Sequence, residues 1–227
     1  MANTVDPTFV LLLNHSGQYA ETLGEALYGS RGHSMYGMVI QGAQDLLIHL
    51  GGEELWARVL ADAGLGGSVF VATVTYDDSV VYRLVSSAAE VTGLSEKEVL
   101  TALGRHWILF TGRSGWGHMF DMAGGDLRSF IQGLDAMHMR LQAAMTEMKA
   151  PSFTCEPISD NQVKVIYRSE RMGLAPMVTG ILEGLAEMFD EQWDISHVEE
   201  RTATSPDAFL LTERVPATSV SRTGSTP

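Results

Sequence analysis

The sequence predicts an α+β fold, with a helical N-terminal subdomain followed by a C-terminal subdomain of antiparallel sheet and helices. Three observations predict it. Between Tyr36 and about Leu103 the apolar residues recur at helical spacing and are punctuated by glycines. After Pro151 the apolar runs become short and alternating, with turn residues between them. The stretch Leu127 to Met188 joins the two regimes: a helix, a proline break, a strand with polar residues on one face, and a small-residue helix.

In order, Val39, Ala43, Leu46, Leu47 and Leu50 form one helical stripe, stopped by Gly51-Gly52. A second helix runs from Glu53 to Ala63 with Trp56, Val59 and Leu60 inward, and Gly64 to Ser68 reads as a loop. Val69 to Thr75 reads as extended. Asp77 or Asp78 caps a helix through Val91 that ends at Gly93. Ser95 and Glu98 have capping-box spacing for a short helix to about Leu103. Arg105 to Gly117 reads as aromatic and irregular, and Gly124-Gly125 precede the next helix. After Pro151 come a strand to about Glu156, a turn at Asp160-Asn161 and a strand-like run from Val163 to Arg171. A helix from Leu174 to Phe189 carries Gly180 and Gly184, a spacing suited to close packing on a helix or on a flat ligand. Ile195 to Glu199 and Phe209 to Leu211 read as two further strands.

One domain is expected at 227 residues, with 45% hydrophobic and 19% charged residues. The formal net charge of −13 excludes the basic footprint of a nucleic-acid or anionic-membrane binder. A single cysteine excludes an internal disulfide and a cysteine-rich zinc site. No run reaches the length of a membrane span, and Phe9 to Leu13 is too short for a signal sequence, so the expected compartment is the cytoplasm. No H-E-x-x-H, P-loop, dinucleotide fingerprint or nucleophile elbow is present, and no enzyme is expected.

The chemistry concentrates around His138. Phe130, Leu134, Met137, His138, Leu141 and Met145 share a helical stripe, which aims the imidazole toward the apolar side. In an extended chain Tyr167, Ser169 and Arg171 fall on one face, two hydroxyls and a guanidinium suited to a pair of carboxylates. A lone histidine on an apolar face is more often a packed core residue, and a polar strand face is usually just solvated. Together they match the two needs of haem, an iron ligand and partners for its propionates. Asp135 reads as helix-surface polarity.

These residues also carry a resemblance. Tyr167, Ser169 and Arg171 form a Y-x-S-x-R motif, His138 follows Leu134-Asp135, and Ala150-Pro151-Ser152-Phe153-Thr154-Cys155 follows the helix. Met35-Tyr36-Gly37-Met38-Val39 and Tyr76-Asp77-Asp78-Ser79 come earlier, so five motifs stand in order between Met35 and about Glu213. The chain resembles the H-NOX domains, the haem nitric oxide/oxygen binding family that includes the sensor domain of soluble guanylate cyclase. The resemblance divides the chain into an extension over 1–34, expected to be poorly ordered, the domain over 35–213, and a disordered tail over 214–227. Gly133 departs from the family pattern, where many members have asparagine.

The resemblance implies haem b held at its iron by His138, at its propionates by Tyr167, Ser169 and Arg171, and bent by Pro151. It assigns the distal side to Val39, Met177 and Trp107; the Trp107 indole N–H is the one donor among them, and Trp107 reads first as core packing and second as a weak polariser of a ligand. Methionine cannot donate to bound dioxygen, so selectivity for nitric oxide is expected, with carbon monoxide as a further ligand. Nitric oxide would weaken the bond to His138 and shift the two subdomains. The output would come from a separate partner, a signalling histidine kinase or a cyclic-di-GMP enzyme. The competing readings are a haem-free interaction module and a thiol redox sensor using Cys155.

Overall fold

The structure, a computed structural model, describes residues 34–214, apart from the side chains of 111–116. The expected extension and tail, with the Phe9 to Leu13 run, lie outside the described residues, save for Ser34 and Arg214 at their inner ends. Ser34 opens a short strand, β1 (Ser34–Tyr36), which pairs antiparallel with β2 (Thr75–Asp77), Met35 opposite Tyr76. Neither strand follows from periodicity, because three residues are too few to show a period of two. Helix α1 (Gly37–Asp62) is broken at Gly51 and Gly52 into the two expected arms, and Gly52 takes a φ of 73° that favours glycine.

Val69 to Thr75, expected to be extended, instead turns back over the start of α1. There the Val74 and Ala72 carbonyls accept the Gly37 and Met38 N–H groups. A helix N-terminus has unsatisfied N–H groups, and this loop meets them with main-chain oxygen. Helix α2 (Asp78–Thr92) is capped by Asp77, which accepts from the Ser79 N–H, and ends at Gly93 with φ 75°. Helix α3 (Glu96–His106) opens on the expected Ser95–Glu98 capping box.

The segment expected to be irregular is helical. A π-helical turn (Trp107–Thr111) leads into α4 (Gly112–Ala123). Three glycines within six residues depress local helix propensity there, and tertiary packing overrides it. Helix α5 (Leu127–Ala144) is capped by Asp126 and Ser129. A Cβ at Gly133 would lie 2.1 Å from the Ala123 carbonyl oxygen, so the departure from the family pattern at this position has a packing reason.

The C-terminal sheet has the order β3-β4-β6-β5, all antiparallel. Its strands are β3 (Ser152–Ser159), β4 (Gln162–Arg168), β5 (Trp193–Glu199) and β6 (Asp207–Glu213). The expected strand from Val163 to Arg171 ends three residues early. The Ser169 hydroxyl accepts the Arg171 N–H and Gly173 adopts a φ of 74°, which folds the chain into a turn.

Helix α6 (Ala175–Met188) follows that turn and packs on α3. A Cβ at Gly104 would lie 2.0 Å from the Met177 carbonyl oxygen, and one at Gly180 1.9 Å from that of Thr101. The small-residue spacing therefore serves helix on helix, not helix on flat ligand. Two cores result, one among α1, α2 and α3, the other among α5, α6 and the sheet. Helix α6 spans the seam: Leu174 just before it belongs to the first core, while Val178 and Leu182 belong to the second.

Candidate functional site

At that seam lies an apolar groove walled by β1 and the start of α1 on one side and by α6 on another. Its helical wall presents Met38, Val39, Leu174, Met177, Val178 and Ile181. The last four stand at i, i+3, i+4 and i+7, an apolar stripe that the sequence displays and that reasoning about donors passed over. The groove also takes in Pro151 and Phe153 at the start of β3, and Tyr167, Ser169 and Arg171. Six of the eight expected site residues touch it or line it: Val39, Met177, Pro151, Tyr167, Ser169 and Arg171. Met35 and Tyr36 were read as part of a motif but not as groove residues, while Met148 and Lys149 were missed and carry no pattern that would have singled them out.

Trp107 is placed elsewhere. It opens the π-helical turn and packs against the C-terminal core, and it does not line the groove. The indole N–H is thus not a donor presented by the groove wall.

His138 is joined to the groove through Pro151. Its Nδ1 lies 3.1 Å from the Pro151 carbonyl, which can only accept, so Nδ1 carries the proton and Nε2 keeps a lone pair. Burial pushes the His138 pKa below its ordinary value, opposed by the bond to Pro151 and by nearby Asp135. The imidazole is neutral at pH 7, which is the form that ligates a metal. Asp135, one turn earlier, is not surface polarity: its Oδ1 accepts the Phe153 N–H at 2.9 Å. Two hydrogen bonds, three residues apart on α5, thus stitch that helix to the start of β3.

The polar end of the groove is a set of donors. Tyr167 is buried, and burial raises the pKa of its phenol against the bond from Ser169, so the hydroxyl keeps its proton. Arg171 is fixed by three of its five N–H groups. Nε donates to Asp78 Oδ2 at 2.8 Å, Nη1 to the Lys149 carbonyl at 2.9 Å and Nη2 to the Ser34 carbonyl at 2.7 Å. Two N–H groups are left for a ligand. Asp78 Oδ1 is buried with no donor of its own. The turn that ended β4 early therefore still brings Tyr167, Ser169 and Arg171 to one place, by folding and not by strand alternation. An apolar slot with a neutral imidazole behind Pro151 and two hydroxyls and a guanidinium at one end fits haem. Among the described residues no group of three His, Cys, Asp or Glu side chains could hold a metal ion.

The family model described as Haem-NO-binding matches residues 36–197. Soluble guanylate cyclase gcy-35 of Caenorhabditis elegans is 30% identical over 185 residues, covering 80% of this chain and 27% of its own length. Guanylate cyclase soluble subunit beta-2 of Rattus norvegicus is 38% identical over 119 residues, covering 50% of this chain and 17% of its own. The chain thus spans about a quarter or less of these curated relatives. Among solved structures, an H-NOX protein from S. oneidensis in the Fe(II)NO ligation state superposes with a TM-score of 0.72 at 21% identity, covering 80% of this chain and all of the other. An oxygen-binding H-NOX domain related to soluble guanylate cyclases gives a TM-score of 0.68 at 22% identity, covering 80% and 96%. The chain belongs to the haem-NO-binding family, as a gas-sensor domain of the soluble guanylate cyclase type whose cofactor is haem. No helix of the described residues is long and apolar enough to cross a membrane.

Proposed function

We propose that this haem-NO-binding domain senses nitric oxide at a ferrous haem ligated by Nε2 of His138. One observation carries the reading. A single groove unites Pro151, whose carbonyl fixes the His138 tautomer, with the donors Tyr167, Ser169 and Arg171. When bound, haem would supply a ferrous centre able to take nitric oxide, with His138 as the residue that would hold the iron.

The residues of the chain do the rest. Tyr167, Ser169 and Arg171 would hold the carboxylates, and Pro151, rigid and without an N–H, would border the macrocycle. The helical wall of Val39, Met177, Val178 and Ile181 offers no hydrogen-bond donor to a bound gas. Dioxygen, which accumulates negative charge when bound, gains nothing there, while nitric oxide needs no donor. Carbon monoxide binds on the same terms. On the protein side the end of α5 is held to β3 by the His138 bond to Pro151 and by Asp135, and a His138 released from the cofactor would rely on these alone. A ligand shifts such an equilibrium only through unequal affinity for the two states, and a change in how firmly His138 holds the cofactor would supply the inequality.

The signal passes to an enzyme. It is a cyclase in the longer relatives named as soluble guanylate cyclases, and for a domain acting alone a histidine kinase or a cyclic-di-GMP enzyme. The test is the visible spectrum of the anaerobically reduced protein, before and after nitric oxide and then in air. A Soret band that shifts with nitric oxide and gives no stable oxy form in air is expected, and His138→Gly should abolish it until free imidazole is added. A stable oxy spectrum would overturn the selectivity and point to Tyr36, a further phenol in the groove. No Soret band after addition of hemin would overturn the whole reading.

A further inference from the structure

The turn that carries Arg171 is held from a part of the chain beyond the match to the family model, which ends at residue 197. Strand β5 has an irregular register between His197 and Glu199, and the chain then loops before β6 begins at Asp207, opposite Tyr167 on β4. A bulge of this kind bends a strand and re-aims the chain beyond it. The loop is knitted together by itself. Thr202 N–H donates to the Ser205 carbonyl, and the Thr202 hydroxyl accepts from the Thr204 and Ser205 N–H groups. Buried Asp207 anchors its base: Oδ1 accepts the Arg201 N–H at 3.0 Å and lies 2.9 Å from His197 Nε2. His197 is in turn stacked on Phe209.

From this anchored base the Arg201 side chain reaches back, and its Nη1 donates to the Arg171 carbonyl at 2.9 Å. The main chain of Arg171 is therefore gripped on both sides, its N–H by the Ser169 hydroxyl and its C=O by Arg201. A side chain can be aimed only as well as the backbone that bears it is fixed. The loop has no strand partner to do this, since β4 has ended and α6 has not begun.

We propose that Arg201 is a positioning residue for the carboxylate-holding end of the groove: its bond to the Arg171 carbonyl presets the aim of the Arg171 guanidinium and the Ser169 hydroxyl. The proposal rests on the reading of the groove as the haem site. Arg201 does not itself line the groove, so it acts through Arg171 and makes no contact with the cofactor.

The test compares Arg201→Gln and Arg201→Lys with the wild type. Arg214→Gln is the control, an exposed arginine that pairs with Asp194 at the far end of the same hairpin. Three quantities are read: the rate of hemin loss to excess apomyoglobin, the propionate bending band in resonance Raman spectra, and amide exchange over residues 169–174 in the haem-free protein. Arg201→Gln should speed hemin loss about tenfold, the worth of one charge-assisted hydrogen bond. It should also shift the propionate band and accelerate exchange over 169–174, with the urea midpoint unchanged. Arg201→Lys, which can still donate to a carbonyl, should restore the band and slow exchange, and Arg214→Gln should change none of the three.

Unchanged hemin loss and an unmoved band in Arg201→Gln overturn the proposal. So does faster loss that comes only with a lowered urea midpoint and is not restored by lysine. A wild type that takes up no hemin refutes the haem site instead. The exchange measurement on the haem-free chain then still decides whether Arg201 holds the turn, and equal exchange in Arg201→Gln and the wild type would overturn that.

Discussion

Two helices meet the site, α6 as a wall of the groove and α5 behind Pro151, and they are held in opposite ways. Helix α6 is locked by backbone: Gly104 and Gly180 let it approach α3 so closely that main-chain oxygens fill the space where side chains would stand. Helix α5 is fully covered at its start, at Leu127, Phe130 and Ile131, and its burial ends at Met137. Beyond that point it exposes Met139, and it is fastened to the start of β3 by two hydrogen bonds, one from His138 Nδ1 to the Pro151 carbonyl and one from the Phe153 N–H to Asp135. Close packing cannot deform by degrees, whereas a pair of hydrogen bonds can be exchanged for water at small cost. A sensor needs one wall that keeps its shape and one that lets go, and the sequence builds each with different residues.

The largest effect that would break this contrast is on the fixed wall. In Gly180→Ala the new Cβ would stand 1.9 Å from the Thr101 carbonyl oxygen, backbone that cannot swing away. The expected loss is about 3 kcal/mol, read from the urea midpoint, at the upper end for overpacking. Gly184→Ala, whose Cβ would meet the Ile108 side chain at 3.0 Å, should cost far less. Equal costs at the two positions would mean that α3 and α6 can slide apart and that the wall is not fixed.

The next effect is on the releasable wall. Asp135→Ala removes the acceptor of the Phe153 N–H, a partly buried main-chain donor, and should cost about 1–2 kcal/mol. More usefully, it should make the end of α5 easier to detach, so that amide exchange rises over the second half of α5 and not over α6. A uniform rise across both helices would erase the distinction between them.

His138 adds a smaller, pH-dependent term in the haem-free protein. Its pKa is lower when folded than the ordinary value of about 6.5, so below that pH the unfolded chain binds more protons. The stability it contributes is fully present above pH 6.5 and is lost as the pH falls through that value toward the folded pKa. His138→Gln should flatten the slope of stability against pH in that window. A wild type whose urea midpoint is level from pH 7.5 to 5.5 would show that the imidazole is already solvated and the end of α5 already loose.

Much of this was legible in the sequence, and the reasons for the exceptions are physical. Caps and breaks are local chemistry, so the Ser95–Glu98 box, the Asp77 cap and the Gly51-Gly52 break could be read directly. Tyr167, Ser169 and Arg171 were found for a reason only half right. Alternation put them on one strand face, whereas a turn through the Ser169 hydroxyl gathers them. Asp135 looked like surface polarity because its partner is a main-chain N–H 18 residues away, which leaves no trace in the residue letters. The helix through Trp107 to Ala123 was hidden for the complementary reason, since its support is tertiary and its glycines argue against it.

Cys155 supplies the finest probe of the same contrast. It lies on β3, half-buried against the C-terminal core, and the charges that act on it, Arg128 and Asp135, both belong to α5. The thiol therefore sits where α5 covers the sheet. Burial pushes its pKa from 9.0 up to about 11, so at pH 8 about a hundredfold less of it is thiolate than in an open chain. Alkylation by iodoacetamide should be slow by at least that factor relative to the urea-unfolded protein, which argues against a thiol switch in the resting domain. Asp135→Ala should speed it, both by loosening the helix that covers the thiol and by removing a carboxylate that raises the thiol pKa, while Gly184→Ala should do neither. If Cys155 reacts at the unfolded rate in the wild type, α5 is not seated on β3 at all. The releasable wall would then be open before any gas arrives, and breaking a bond at His138 would have nothing left to release.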